Sequence, residues 1–84
     1  MNQDLLSQIQ RYLTKSFFVP LKAIEPDLSF RKLALSAAEF MEIVFVLETQ
    51  NHITLPDLDL LQVKTVGDLV LLTEQSLTTM SVKT

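Results

Sequence analysis

The segment that most constrains the fold begins at Ser36, where Ser36-Ala37-Ala38-Glu39 matches the S-x-x-E capping box of a helix start. In this motif the serine hydroxyl accepts a hydrogen bond from a first-turn N–H, and the glutamate side chain reaches back to the serine N–H. Apolar residues then recur at helical spacing, at Phe40, Ile43, Val44 and Leu47. The pattern predicts a helix over residues 36–50 with this stripe facing a core.

Three further helices are predicted around this one. The first covers residues 3–15, with Leu6, Ile9 and Leu13 on one face. A short third helix covers residues 56–61, with Pro56 in its first turn, where the missing N–H is not needed. The fourth begins after Thr65 as N-cap and is expected to end near residue 77, leaving a polar, flexible tail.

The stretch between the first two predicted helices, residues 17–35, has no long period but is rich in apolar side chains. A loop of this length is unusual unless it packs on its own side chains, so we expect it to be pinned to the core. No alternating pattern lasts long enough for a strand. Together, these patterns predict a single all-α domain over residues 1–84, a small four-helix bundle with one long structured loop.

Charge and composition exclude several classes of function. The chain of 84 residues has a net charge of −3, and a chain without a basic stripe is not expected to bind nucleic acid. Its apolar runs are far shorter than a membrane span, and its first residues show no signal-peptide pattern. We therefore expect a cytoplasmic, soluble protein that is a monomer unless a partner binds it.

The predicted second helix carries a second apolar stripe, although one stripe is enough for a helix that packs on a core. Ala38, Met41 and Phe45 lie on it, flanked by the acidic residues Glu42 and Glu48. Residues 33–63 contain five acids and no Lys or Arg. Either the long loop covers this stripe, or the stripe binds a basic partner, with Met41 and Phe45 as anchors and the carboxylates steering.

Enzyme chemistry has little support in the sequence. The single histidine, His52, follows Asn51 at a predicted helix end, and the chain has no cysteine. The glutamates lack the partners that raise a carboxylate pKa toward neutrality. Asp57 and Asp59 lack the spacing of an EF-hand. We therefore expect no catalytic residue and no metal site.

One family shares the spacing of this sequence over roughly half of the chain. The matching positions are Leu33, Glu42-Ile43-Val44, Leu47-Glu48, Ile53-Thr54-Leu55-Pro56-Asp57 and Lys64-Thr65-Val66-Gly67-Asp68-Leu69. In these positions the chain resembles the acyl carrier proteins of fatty-acid and polyketide biosynthesis, within lipid metabolism.

The resemblance implies a four-helix bundle whose second helix recognises partner enzymes such as a ketosynthase, an acyltransferase and a phosphopantetheinyl transferase. It also implies 4′-phosphopantetheine, held on a serine at the start of that helix, whose thiol carries acyl intermediates as thioesters. By the same resemblance, Ala38, Glu39, Met41, Glu42, Phe45 and Glu48 bind the partner, and the protein itself performs no bond chemistry.

The attachment motif of that family, Gly-x-Asp-Ser-Leu, reads Ala34-Leu35-Ser36-Ala37-Ala38 in this sequence. Ala37 stands at the serine position, so we expect the chain to lack the arm. Ser36 is better explained as the N-cap, and attachment at Ser36 is the less favoured alternative. Ala37 is either an engineered replacement of a native serine or native to an adaptor that carries nothing and only binds a partner enzyme.

Overall fold

In the computed structural model, which describes residues 2–82, the chain folds into four α-helices. The helices are α1 (Gln3–Phe17), α2 (Ala37–Asn51), α3 (Asp57–Leu60) and α4 (Val66–Val82). Two 3-10 helices, Leu21–Ala23 and Phe30–Leu33, lie in the long loop between α1 and α2. The described residues form no strand beyond one isolated bridge between Ser29 and Thr65. The predicted all-α four-helix class is confirmed.

Several helix boundaries differ from the sequence-based expectation, those of α2 and α3 by one residue at each end. α1 continues to Phe17. Pro56 is the N-cap of α3 rather than part of its first turn, because its ψ of 134° is extended. α4 continues to Val82 instead of ending near residue 77. The last two residues of the expected tail lie outside the described residues, so its flexibility stays a prediction.

The core forms where α1 packs against both α2 and α4. Each helix contributes one stripe of buried side chains: Leu5, Leu6, Ile9 and Leu13 from α1, Ile43, Val44 and Leu47 from α2, and Val66, Leu69 and Val70 from α4. Thr73 is also fully buried, and its hydroxyl donates to the Leu69 carbonyl at 2.8 Å, which satisfies the polar group. No helix within residues 2–82 is long and apolar enough to cross a membrane.

The long loop is held against the start of α4 by backbone hydrogen bonds. The Phe30 N–H donates to the Lys64 carbonyl and the Val66 N–H to the Leu28 carbonyl, both at 2.9 Å. The Gly67 N–H donates to a loop carbonyl, that of Pro26, at 2.7 Å. Ile24 and Phe30 of the loop are buried in the core. The expectation that this loop is pinned to the core is confirmed.

A reciprocal pair of hydrogen bonds begins α4. The Asp68 N–H donates to the Thr65 hydroxyl, and the Thr65 N–H donates back to the Asp68 carboxylate, both at 3.1 Å. The Lys64 N–H donates to the same carboxylate at 3.0 Å. This backbone donor, opposed by partial burial and aided by Thr65, holds the pKa of Asp68 below its usual range.

Candidate functional site

The predicted capping box is present at the start of α2 and determines where residue 37 lies. The Glu39 N–H donates to the Ser36 hydroxyl at 3.1 Å, and the Ser36 N–H donates to the Glu39 carboxylate at 2.8 Å. Ser36 is therefore the N-cap, and Ala37 is the first residue with helical geometry. Both are exposed to solvent. A side chain at residue 37 thus projects from the positive end of a helix, where a phosphate is favoured.

The turn that leads into α2 has a left-handed backbone at Ala34. Its φ is 53°, and its N–H closes the second 3-10 helix by donating to the Arg31 carbonyl at 3.1 Å. Glycine adopts this conformation without the Cβ clash that other residues incur. The structure therefore explains why a glycine suits this position, and Ala34 holds the turn with local strain.

A shallow groove of about 280 Å³ opens beside Ala37. Its apolar lining includes Leu35 and Phe40, the residues just before the N-cap and just after the capping box, which are the positions of a hydrophobic staple. The Phe40 ring meets the Phe30 ring edge-on, with centroids 5.1 Å apart. Arg31 adds a cationic group to the groove. A group attached at residue 37 could lie in this groove, with an apolar part against the rings and a phosphate near Arg31.

The second apolar stripe of α2 is open to solvent. Met41 is 45% exposed and Phe45 is 67% exposed, and Ala38 and Glu42 are exposed as well. The idea that the long loop covers this stripe is therefore wrong. We call Ala38, Met41, Glu42 and Phe45 the acidic face of α2. The Glu42 carboxylate is steadied by the Tyr12 hydroxyl of α1, which donates to it at 3.4 Å.

The other two predicted partner-binding acids are engaged within the protein. Glu39 is half-buried and completes the capping box. Glu48 is half-buried, and its carboxylate accepts the Leu55 N–H at 2.8 Å, which ties the segment before α3 to α2. Glu39 and Glu48 thus stabilise the fold through hydrogen bonds to the backbone, whereas Glu42 is exposed to solvent.

Several exposed apolar residues were missed by the sequence reasoning. On α3, Leu58 is 77% exposed and Leu61, its C-cap, is 76% exposed, while Leu60 is buried. Helical spacing carries a signal for this, because in so short a helix the residues beside one buried leucine point outward. Beside the exposed acids Asp57 and Asp59, these leucines give α3 a surface that is acidic and apolar, as the exposed face of α2 is.

The histidine and the acidic residues do not come together as a metal site in the part of the chain that the structure describes. His52 is exposed at the C-cap of α2, with a left-handed φ of 55°. Within residues 2–82, no three residues of the His, Cys, Asp and Glu types lie close enough together to hold a metal ion.

Comparison with known proteins adds one finding. The family model described as "Phosphopantetheine attachment site" matches residues 5–72, which includes all of α2 and α3 and the start of α4. No curated protein sequence gives a significant match to the chain.

Proposed function

The chain belongs to the phosphopantetheine attachment-site family, and from this premise we propose that it is an acyl carrier protein of a fatty-acid or polyketide type of pathway. Its task is to present thioester-linked acyl intermediates to partner enzymes, and it performs no bond chemistry itself. The observation that carries the proposal is the position of residue 37, which is exposed at the first turn of α2, behind an N-cap and beside an apolar groove.

The surroundings of residue 37 suit the arm, but the residue itself does not. When bound, 4′-phosphopantetheine supplies the thiol that carries the acyl group. Its phosphate is held through a phosphodiester to a hydroxyl oxygen, and the methyl group of Ala37 has none. We therefore propose that this chain is not loaded at residue 37 and that a serine there restores loading.

Ser36 is a poor substitute for the missing hydroxyl. Its oxygen already accepts the Glu39 N–H, and this hydrogen bond belongs to the capping box that starts α2. A phosphodiester on that oxygen would place a bulky charged group at the N-cap and disturb the start of α2. Attachment at Ser36 therefore remains the less favoured alternative.

The test is a loading reaction with coenzyme A and a broad-specificity phosphopantetheinyl transferase, read by intact-protein mass. We expect no mass gain for the chain itself and the gain of one arm for Ala37→Ser. A Ser36→Ala variant is the matched control for attachment at Ser36. No gain in any variant would sink the carrier proposal, and a gain in the chain itself that Ser36→Ala abolishes would move the site to Ser36.

We further propose that partner enzymes, such as a ketosynthase, an acyltransferase or the transferase itself, dock on the acidic face of α2. Met41 and Phe45 supply apolar contact area, and Glu42 supplies charge that steers a basic partner. A flexible methionine suits several partners. Glu39 and Glu48 support this face mainly through the fold, since both carboxylates accept backbone hydrogen bonds.

Docking can be measured through the loading kinetics of Ala37→Ser. In that background, Phe45→Ala and Glu42→Lys should each raise the KM of the transferase reaction and leave helicity unchanged, because both side chains are exposed. Leu71→Ala is the matched control, since Leu71 is an apolar residue that is 48% exposed on a different helix, α4. Equal KM values for all three variants would show that the face is wrongly assigned.

The second candidate is an adaptor of the same fold that binds a partner enzyme and carries nothing. The observation that favours it is the combination of an exposed, acidic α2 face with an alanine at residue 37. The two candidates differ in the loading reaction: an adaptor whose docking surface has diverged stays unloaded even as Ala37→Ser, whereas a carrier that has lost its attachment serine is loaded once Ala37→Ser restores it.

A further inference from the structure

The segment that follows α1 exposes two large apolar side chains beside positive charge. Phe18 is 86% exposed, the highest value among the large apolar residues that the structure describes, and Leu21 is 56% exposed. Lys15 precedes them and Lys22 follows them in the chain. Residues 5–24 contain three cations, the third being Arg11, and no carboxylate. In sign of charge, this surface is the opposite of the acidic face of α2.

Phe18 is unusual in its backbone conformation as well as in its exposure. Phe18 is the C-cap of α1 with φ 59° and ψ 28°, the left-handed conformation that glycine usually provides at a helix end. A bulky aromatic residue is an outlier there, because its Cβ crowds the backbone. Since the ring is also almost fully exposed, packing within the protein offers no compensation. Contact with another molecule would account for a phenylalanine at this position.

The segment that carries Phe18 and Leu21 is anchored at both ends. The Val19 N–H donates to the Leu13 carbonyl at 3.3 Å. Further along, the Gln10 side-chain amide of α1 donates to the Ile24 carbonyl at 2.9 Å, and Ile24 is 1% exposed. The two exposed side chains therefore project from a fixed backbone, which lowers the entropy lost when a partner binds.

A groove between α1 and α2 adjoins the same cations. It has a volume of about 450 Å³, and Arg11 and Lys15 line its α1 side, while Val46 and Gln50 line its α2 side. Arg11 and Lys15 are four residues apart in α1, so they lie on the same face of that helix. Lys15 lines this groove and stands three residues before Phe18 in the chain, so the groove and the exposed pair are linked through the end of α1.

We propose that Arg11, Lys15, Phe18, Leu21 and Lys22 form a second docking surface, the basic patch, for a partner protein that presents an acidic, amphipathic helix. Phe18 and Leu21 are the apolar anchors, and the three cations pair with carboxylates of the partner helix. A membrane surface is the weaker occupant, because two apolar side chains bury little area in lipid and the chain has a net charge of −3, which opposes binding to anionic lipid.

The test is an amide-shift titration of the isotopically labelled chain with two stapled helical peptides that share the same leucines and carry either glutamate or lysine. The glutamate peptide should shift the amides of residues 11–22, and raising the salt concentration should weaken its binding. The lysine peptide should leave these amides unchanged. Shifts that fall elsewhere, or no binding of the glutamate peptide, would overturn the proposal. A parallel titration with anionic vesicles tests the membrane as occupant. Shifts of the patch amides with vesicles but not with the peptide would also overturn the proposal.

Variants separate docking from a structural role of Phe18. Phe18→Gly removes the anchor and suits the left-handed backbone, so affinity for the glutamate peptide should fall about tenfold while the thermal midpoint stays equal or rises. The double variant Lys15→Glu, Lys22→Glu should lose binding with the fold intact. Leu71→Ala, an exposed leucine of α4, is the control. A lower thermal midpoint for Phe18→Gly with unchanged affinity would assign Phe18 to the fold and refute the proposal. None of these readouts depends on loading of residue 37.

Discussion

Removing the hydroxyl of Ser36 tests the local geometry on which the placement of residue 37 depends. In Ser36→Ala, the Glu39 N–H loses its acceptor at 3.1 Å, while no packing is lost because Ser36 is exposed. N-cap replacements of this kind lower the free energy of unfolding by about 1 kcal/mol. For a domain of this size, that corresponds to a fall in the thermal midpoint of about 4–8 °C.

Two further replacements at residue 36 make this prediction specific. Ser36→Asp keeps an oxygen acceptor and adds negative charge near the positive helix end, so its stability should stay close to that of the original chain. Ser36→Gly should cost only a few tenths of a kcal/mol (about 0.3). Thermal unfolding followed by circular dichroism gives all three values. If Asp and Ala destabilise the chain equally, the hydrogen bond does not stabilise the helix start and the reasoning fails.

Three other predictions concern stability. Ala34→Gly should raise the free energy of unfolding by about 0.5–1 kcal/mol, since φ is 53° there; an unchanged denaturant midpoint would argue against strain at that turn. The pKa of Asp68 is lowered in the folded state, so its ionised carboxylate stabilises the fold at neutral pH, and this stabilisation is lost as pH falls below about 5. Asp68→Asn should therefore flatten the acid side of a curve of unfolding free energy against pH. Parallel curves for the variant and the original chain would contradict this. Leu69→Ala should lower stability by about 2–5 kcal/mol, because Leu69 is fully buried; a loss below about 1 kcal/mol in urea unfolding would mean that the core is wrongly placed.

Helix periodicity and capping chemistry predicted most of the fold because both are local. The S-x-x-E motif predicted the N-cap at Ser36. The predicted stripe of Phe40, Ile43, Val44 and Leu47 marks the buried side of α2, although Phe40 is only partly buried. These features depend on residues three or four apart, which the sequence displays directly. The one-residue difference at Pro56 is of the kind expected at helix ends, whereas α4 runs five residues past its expected end because no Pro or Gly follows residue 77 to stop it.

The candidate site was harder to predict because it depends on long-range contacts. The Glu48 side chain looks like any helix-surface acid in the sequence, and its hydrogen bond to the Leu55 N–H appears only once the chain folds back. The sequence likewise does not show that Phe18 is exposed, because there it is simply one of the apolar residues of a loop that is expected to pack on the core. Periodicity assigns faces within an element, whereas the side of a loop that faces solvent is decided by tertiary packing.

Residue 37 is, in our proposal, the attachment position of a carrier in which an alanine stands where the serine oxygen would hold the arm. The most direct measurement uses the double variant Ser36→Asp, Ala37→Ser, in which the cap is kept and the only candidate hydroxyl at this turn is at residue 37. After reaction with coenzyme A and a phosphopantetheinyl transferase, peptide mapping by mass spectrometry should find one arm on residue 37. A well-folded double variant that gains no mass would contradict the claim.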